Sequence, residues 1–157
     1  MSIIVRKMEE KDIEEVSSID RICFPNVKPP INYRAEHENK IATYFVAEET
    51  DSTSVVAFGG YWRFYDEADI ITIATLPDYR RRHIASDLLK DLLDSCIASG
   101  ATYITLEVRA SNIPAQKLYE KFGFQVDGIR KKYYIDNQED AVLMSIKLDD
   151  SSKTNNV

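Results

Sequence analysis

One stretch of the sequence constrains the fold more than any other: a basic turn between a β-branched segment and a long amphipathic segment. Residues 69–75 are rich in isoleucine and threonine, Pro77 ends them, and the turn at residues 80–85 follows. Apolar residues then recur at helical spacing, and Gly100 marks the expected helix end. The members of this stripe are Ile84, Leu88, Leu89, Leu92, Cys96 and Ile97. These patterns predict a strand, a turn and a helix in that order.

The turn itself has the chemistry of an anion site. A helix N-terminus offers backbone N–H groups that lack intrahelical acceptors, and its macrodipole favours negative charge. Arg80, Arg81 and Arg82 add guanidinium donors that suit phosphate geometry. We therefore expect a pyrophosphate group to bind here. The alternative is a solvated basic turn on an acidic protein.

Similar patterns predict the other elements. Strands are expected at residues 3–8, 44–47, 55–61, 103–108, 124–134 and 141–148, and helices at 12–23, 34–40 and 112–122. The Gly59–Gly60 pair indicates either a bulge or a close backbone approach. Strands alternate with helices in the middle of the chain and form hairpins at its ends. This order predicts an α/β fold with a mixed sheet of six or seven strands and helices on its faces.

Composition limits the classes of function. The 157 residues suffice for one domain, expected at residues 1–148, with a disordered tail at 149–157. The first residues turn acidic and no apolar run is long enough for a membrane span, so we expect a cytoplasmic protein without a membrane partner. The net charge of -6 opposes general nucleic-acid binding. Cys23 and Cys96 are too few for a metal framework or a disulfide scaffold and are expected to be buried.

The basic turn also resembles the pyrophosphate loop of the GNAT superfamily of N-acetyltransferases, whose pattern is Arg/Gln-x-x-Gly-x-Gly/Ala. Arg80, Arg82 and Ala85 fit this loop, and Pro77 and Tyr79 fit its flank. His83 departs from the pattern, because the family normally has glycine there. Histidine must either adopt the turn at a conformational cost or leave the loop slightly different, and a distorted loop would bind the cofactor more weakly.

A second stretch strengthens the resemblance. Its members are the LEVRASN motif at residues 106–112, Ala115, the LYEK motif at 118–121, Gly123–Phe124, Tyr133–Tyr134, residues 139–141 and Met144. Together they are similar to the ribosomal-protein alanine and archaeal protein N-terminal acetyltransferases. The resemblance spans about residues 70–148. It implies the GNAT fold, with a mostly antiparallel sheet of six or seven strands and about four helices, and acetyl-CoA as cosubstrate with no metal.

The resemblance assigns two catalytic residues. Glu107 would act as general base, usually through a water, and Tyr119 as the general acid that protonates the departing thiolate. A peptide α-amino group has a pKa of about 8, which suits a carboxylate base better than a lysine amine of about 10.4. The structural alternatives are an exposed Glu107 paired with Arg109 or Lys147, and a Tyr119 that packs in the core beside Leu118 and Phe122.

The same resemblance assigns the cofactor contacts. These are the strand end Ile73, Ala74 and Thr75, the loop residues Arg80, Arg81, Arg82, His83, Ile84, Ala85 and Ser86, and the helix residues Asn112 and Tyr119. A backbone N–H of the strand end would stabilise the oxyanion. Asn112 and Tyr119 are seven positions apart, which places them on one side of a helix.

Two segments would form the acceptor groove by the same resemblance: the loop after the first helix, and the hairpin that contains the tyrosine pair. The residues concerned are Phe24, Pro25, Pro30, Ile31, Tyr33, Tyr133 and Tyr134. Relatives that accept small first residues tend to have a glutamate near the position of Ile31. Isoleucine there favours an apolar pocket, suited to a retained initiator methionine. Ordinary β-propensity is the alternative explanation for the tyrosine pair.

These residues favour a protein N-terminal acetyltransferase that works by direct transfer in a ternary complex. Protein N-termini are the expected partners, and association with the ribosome is left open. Competing functions are a small-molecule amine or lysine acetyltransferase, and a non-catalytic coenzyme A-binding module. A basic RNA-binding surface is the remaining alternative, suggested by Arg80–Arg82 and Arg130–Lys132, but no aromatic RNA-binding motif accompanies them.

Overall fold

A computed structural model of the chain describes residues 2–148. Within these residues there are seven strands: β1 (Ile3–Lys7), β2 (Ala42–Glu49), β3 (Ser54–Phe64), β4 (Glu67–Thr75), β5 (Tyr103–Arg109), β6 (Gln125–Arg130) and β7 (Ala141–Lys147). The same part of the chain forms four α-helices: α1 (Ile13–Cys23), α2 (Tyr33–Glu38), α3 (Ile84–Ala98) and α4 (Ile113–Lys121). Short 3₁₀ helices precede α1 and follow β4, at Glu10–Asp12 and Pro77–Tyr79. The expected tail at 149–157 lies outside the described residues.

The strands form one seven-stranded sheet in the order β1-β2-β3-β4-β5-β7-β6. The pairs β1–β2, β2–β3, β5–β7 and β6–β7 are antiparallel, whereas β4 and β5 are parallel. Parallel neighbours need a crossover connection, and α3 lies in the segment that connects β4 to β5. The predicted mixed, mostly antiparallel α/β fold with about four helices is confirmed.

Contacts between Cα atoms group the chain into two compact units. The first unit contains residues 2–62 and 71–96, and the second contains residues 63–70 and 97–148. The expectation of a single domain stays a prediction. No helix within residues 2–148 has both the length and the apolar character needed to cross a membrane.

The first unit is built around apolar side chains of α1, β2, β3 and α3. The stripe on α3 is buried as its spacing predicts, except that Ile97 at the helix end is 52% exposed. Gly59 and Gly60 mark a close approach, because a Cβ atom on Gly60 would lie 2.4 Å from the Tyr44 ring. The bulge between β2 and β3 lies instead at Ala47/Glu48. The prediction that Cys23 is buried is wrong, since it is only half-buried at the end of α1, whereas Cys96 is buried.

The second unit has β5 and β7 as its centre and β6 at the sheet edge. Strand β6 ends at Arg130, four residues earlier than the predicted strand, so Tyr133 and Tyr134 lie in the connection to β7. Lys132 has a φ of 50°, in the left-handed region, which breaks the extended backbone. Helix α4 begins after Asn112 and is followed by Gly123, whose φ is 103°, as the glycine stop predicts.

Candidate active site

The basic turn lies in the first unit, between the 3₁₀ helix and α3. Arg81 and His83 have φ values of 64° and 63°, in the left-handed region that favours glycine. His83 therefore adopts the backbone that a glycine would adopt at this position. The first α3 hydrogen bond joins the Asp87 N–H to the His83 carbonyl at 3.0 Å. The N–H groups of Ile84, Ala85 and Ser86 consequently have no acceptor within the helix and suit an anion.

The three arginines of the turn have different surroundings. Arg80 extends back along the end of β4, where its Nε donates to the Thr75 carbonyl at 3.0 Å. The guanidinium of Arg82 lies 5.3 Å from the centre of the Tyr79 ring, a cation–π distance. Arg81 is exposed. Exposed charge beside a helix N-terminus fits a pyrophosphate, so the turn could hold that part of acetyl-CoA.

Arg80 also links the turn to α1. Its Nη2 lies 3.6 Å from the Cys23 sulfur, and the Cys23 thiol donates to the Thr75 carbonyl at 3.5 Å. Burial raises the pKa of the Cys23 thiol, and the Arg80 charge opposes this effect without cancelling it. The thiol is therefore a weak nucleophile at neutral pH. Of the predicted strand-end residues, Ala74 and Thr75 are buried and Ile73 is partly exposed.

Glu107 is an exposed residue of β5, in the second unit. Interaction with its carboxylate is the main reason that the pKa of Tyr133 is raised, so the Tyr133 phenol lies close to Glu107. The neighbouring β4 residue Asp69 accepts a hydrogen bond from Thr105 at 2.9 Å. Loss of water around Asp69 raises the pKa of its carboxyl, and the charge of Glu107 adds to this. Glu107 thus has an exposed carboxylate close to the Tyr133 phenol and the Asp69 carboxyl.

Tyr119 of α4 is buried in the second unit, 8% exposed. Its ring makes an edge contact with Phe124, with ring centres 5.8 Å apart. Burial, with a smaller effect of Tyr134, raises the pKa of Tyr119 to about 12. The phenol therefore keeps its proton at neutral pH, which a general acid requires.

Asn112 is the N-cap of α4. Its side-chain oxygen accepts a hydrogen bond from the Ala115 N–H at 3.2 Å. One side-chain function of Asn112 is therefore structural, and its amide nitrogen is the group left to contact a cofactor.

The predicted acceptor residues of the first unit have unequal exposure. Pro25 and Pro30 are exposed, whereas Phe24 and Ile31 are half-buried and pack against the hydrophobic core. Tyr33 is 1% exposed, and its hydroxyl donates to the buried Asp20 at 2.6 Å. Its ring also contacts two core aromatics, so its surroundings are those of a structural residue.

The tyrosine pair lies in the second unit, in the segment between β6 and β7. The two rings meet edge to face with centres 5.1 Å apart. Tyr133 is 39% exposed. Tyr134 is stacked under the guanidinium of Arg109, which lies 4.0 Å from its ring centre.

Two residues of this region have roles that the sequence patterns do not indicate. Asp69 faces the same side of the sheet as Glu107, which the period-two alternation of β4 and β5 could have shown once their pairing was known. From the sequence, Arg109 is expected only as a possible partner of Glu107. The salt-bridge partners that the structure gives it are Asp136 and Glu139, which are 27 and 30 positions away.

Comparison with known proteins decides the family. A family model described as the acetyltransferase (GNAT) family matches residues 13–124. The chain belongs to the GNAT family. Its members are acetyl-CoA-dependent acyltransferases, and this GNAT protein is an N-acetyltransferase.

Individual relatives of this GNAT protein agree with that class. A Bacillus subtilis (strain 168) protein, provisionally named a ribosomal protein bS18-alanine N-acetyltransferase, is 38% identical over 148 residues, 93% of this chain and 96% of that protein. An N-alpha-acetyltransferase of Saccharolobus solfataricus is 32% identical over 157 residues, 90% of each chain. The crystal structure of the ribosomal-protein-S18-alanine N-acetyltransferase from Escherichia coli has a TM-score of 0.81 and 28% identity, and covers 94% of both chains.

Proposed function

We propose that this protein transfers the acetyl group of acetyl-CoA to the free α-amino group of protein substrates. The observation that supports this most is the contrast within the second unit: an exposed Glu107 carboxylate, and a buried Tyr119 phenol whose pKa is about 12. These are the states that a general base and a general acid need at neutral pH. Relatives named for bS18-alanine and N-alpha acetylation support a protein N-terminus as the acceptor. Action in the cytoplasm, with or without the ribosome, is part of the same proposal.

The acetyl group passes directly from acetyl-CoA to the amine, and the amine loses one proton while the sulfur gains one. The amine nitrogen bonds to the thioester carbon and the carbon–sulfur bond breaks. A proton passes from the amine through water to Glu107, and a proton passes from Tyr119 to the sulfur. The backbone N–H groups of Ile73, Ala74 and Thr75 are candidates to stabilise the oxyanion, and the turn at 80–86 is the candidate pyrophosphate site. Asn112 contributes its amide nitrogen to the cofactor.

An acceptor panel tests the substrate class. The protein is incubated with acetyl-CoA and three forms of one lysine-containing peptide: with a free N-terminus, with a blocked N-terminus, and with the lysine replaced by arginine. Spermidine is the small-amine comparison. Mass spectrometry should locate acetylation on the α-amino group of the first and third peptides. Equal modification of the blocked peptide, or of spermidine alone, would instead establish a lysine or small-molecule acetyltransferase.

Catalytic roles are tested by Glu107→Gln and Tyr119→Phe. Each should lower kcat by about 10²–10⁴-fold, the usual contribution of general acid–base catalysis, with acetyl-CoA affinity within twofold of the original. Glu120→Gln and Tyr103→Phe are the matched controls, because they remove an exposed carboxylate and a phenol elsewhere in the second unit. Unchanged turnover of both test variants contradicts the mechanism.

Direct transfer also requires that no cysteine becomes acetylated. Cys23 is the stricter case, since its sulfur lies beside the carbonyl of Thr75 at the end of β4. Cys23→Ser should retain kcat within about twofold, and the intact mass after incubation with acetyl-CoA alone should be unchanged. An acetyl adduct on Cys23 that is lost when peptide is added would establish a covalent route instead.

First-residue preference depends on the loop after α1. We propose that Ile31 and Phe24 give an apolar pocket that accepts a retained methionine, although both are half-buried against the core. The names of the relatives point to alanine. Peptides that start Met-Leu, Ser and Ala separate the two: a clear preference for Ala or Ser overturns the methionine proposal and leaves N-terminal acetylation intact.

A further inference from the structure

The segment between β6 and β7, residues 131–140, is here called the tyrosine segment because it contains Tyr133 and Tyr134. It contains no helix or strand. Lys132 and Gln138 have positive φ values of 50° and 59°, so its backbone is not held in a regular pattern. A segment of this kind keeps one conformation only when side chains from elsewhere contact it.

Arg109, the last residue of β5, makes most of those contacts. Its guanidinium forms a bidentate pair with Asp136, at 2.9 and 3.1 Å. It also donates to Asn137 at 3.2 Å and to Glu139 at 3.4 Å. The same group stacks on the Tyr134 ring at 4.0 Å. One side chain therefore contacts four residues of the tyrosine segment, in the bidentate and stacked geometry that only arginine offers.

The backbone at Arg109 is itself held firmly. Gln116 of α4 donates from its side-chain amide to the carbonyls of Arg109 and Ala110, both at 3.0 Å. The Ala110 N–H donates to the Asp140 carbonyl at 3.0 Å, and the Ser111 N–H donates to the Glu139 carboxylate at 2.6 Å. Arg109 is thus a fixed point from which the tyrosine segment can be positioned.

The same contacts place the tyrosine pair near the strand that contains the proposed base. Tyr134, which stacks on Arg109, contacts Tyr133 edge to face, and Glu107 lies two residues before Arg109 on the same face of β5. We infer that Arg109 is a positioning residue that holds the tyrosine segment, and with it Tyr133 and Tyr134, beside the strand that contains Glu107. The peptide acceptor then meets a preformed site. The inference rests on the proposed function, because that function gives Glu107 its role.

Steady-state kinetics with an acceptor peptide test this inference. Arg109→Gln keeps much of the side-chain length but removes the positive charge and the paired N–H donors that bond Asp136. We expect its peptide KM to rise at least tenfold, because part of the binding energy would then be used to order the tyrosine segment. The dissociation constant of acetyl-CoA should stay within twofold. Arg109→Lys should recover only part of the loss, since an ammonium gives neither the bidentate pair nor the stack. Lys117→Gln, on the exposed face of α4, is the charge-matched control and should change neither constant.

A double variant distinguishes positioning from general support of the fold. If Arg109 acts through Tyr133, then Arg109→Gln combined with Tyr133→Phe should lower kcat/KM no more than twofold beyond the more damaging single change. Multiplied losses would contradict the inference. Asp136→Asn removes the bidentate partner from the other side and keeps the test valid if Arg109→Gln unfolds. It should reproduce the rise in peptide KM.

Proteolysis gives a readout independent of activity. A protease specific for lysine should cut after Lys131 and Lys132 several times faster in Arg109→Gln than in the original protein or the Lys117→Gln control. If the original protein fails to acetylate any peptide N-terminus, the proposed function fails. If it acetylates peptides while Arg109→Gln and Asp136→Asn keep an unchanged KM and cleavage rate, the proposed function stands and this inference fails.

Discussion

His83 shows at the residue scale how a departure from a family pattern is accommodated. The histidine has a φ of 63°, so its backbone in the folded chain has the left-handed conformation that the loop requires. This conformation costs an L-residue about 1–2 kcal/mol. The conformational cost of His83 therefore lowers the stability of the fold. We expect its effect on acetyl-CoA affinity to be smaller than its effect on stability.

His83→Gly tests this assignment. The free energy of unfolding should rise by about 0.5–1 kcal/mol, since glycine removes the strain but adds freedom to the unfolded chain. The dissociation constant of acetyl-CoA should change less than twofold by calorimetry. Thr53→Gly, with a φ of 57° in the turn between β2 and β3, is the matched control for strain away from the loop. If His83→Gly, but not Thr53→Gly, binds acetyl-CoA more than fivefold more tightly, the conformational cost of His83 falls on cofactor binding and not on folding.

Single side chains also show where the sequence stops being informative. Tyr33 and Tyr133 are both predicted acceptor residues, yet Tyr33 is buried and bonds Asp20, whereas Tyr133 is 39% exposed. The motif predicts which loops surround a site but not the direction of each side chain. That direction depends on packing partners that are distant in the chain, such as Phe58 for Tyr33.

Strand β3 gives a prediction at the element scale. A Cβ atom on Gly60 would lie 2.4 Å from two atoms of the Tyr44 ring. That ring cannot move easily, because its hydroxyl donates to Glu36 at 2.6 Å and the ring packs edge to face with Tyr33. Gly60→Ala should therefore lower the free energy of unfolding by about 2–3 kcal/mol, the usual cost of overpacking a core. Gly128→Ala in β6 meets nothing within 4 Å and should change it by less than about 0.5 kcal/mol in the same denaturant titration.

Helix α4 separates the structural and cofactor roles of Asn112. Asn112→Ala removes the cap and should cost about 1 kcal/mol of stability. Asn112→Asp keeps an oxygen for the Ala115 N–H, so urea unfolding should be unchanged, but it replaces the amide donor with a negative charge. We expect acetyl-CoA binding to weaken in both variants. Unchanged binding in Asn112→Asp would leave Asn112 with its capping role alone.

The elements themselves differ in how well local patterns predict them. The apolar stripe of α3 and the alternation of β5 follow from side-chain periodicity, and both elements form close to where the sequence predicts them. The end of β6 was predicted wrongly because apolar and aromatic residues continue after Arg130, while the backbone turns at Lys132. Contacts such as the Arg109–Asp136 salt bridge determine that turn. Local propensity cannot predict them, because the two residues are far apart in the sequence.

At the scale of the whole molecule, buried and paired acids have opposite effects on stability. Burial acts to raise the pKa of Asp12, but the Arg6 guanidinium and the Glu9 N–H outweigh it and leave that pKa below its usual value. Burial raises the pKa of Asp20 despite the Tyr33 hydrogen bond. An acid with a lowered pKa adds stability that is lost as pH falls, whereas an acid with a raised pKa costs stability as pH rises. Below neutral pH, the change of unfolding free energy with pH therefore depends on which of these carboxyl groups has the larger effect.

Glu139 should dominate the lowest part of the profile. Hydrogen bonds from Ser111, with smaller effects of Asn137 and Arg109, lower its pKa from 4.5 to about 2. Between these two values the unfolded chain holds the proton and the folded chain does not, so folding releases a proton and stability falls as pH falls. Glu139→Gln should lower the slope of unfolding free energy against pH by up to about one proton in this window, measured by urea unfolding at several pH values. Asp20→Asn should act in the opposite sense above about pH 4, because the folded chain holds that proton more tightly than the unfolded chain. If Glu139→Gln leaves the slope unchanged, the Ser111 and Arg109 contacts do not persist in solution, and the anchoring of the tyrosine segment would have to be sought elsewhere.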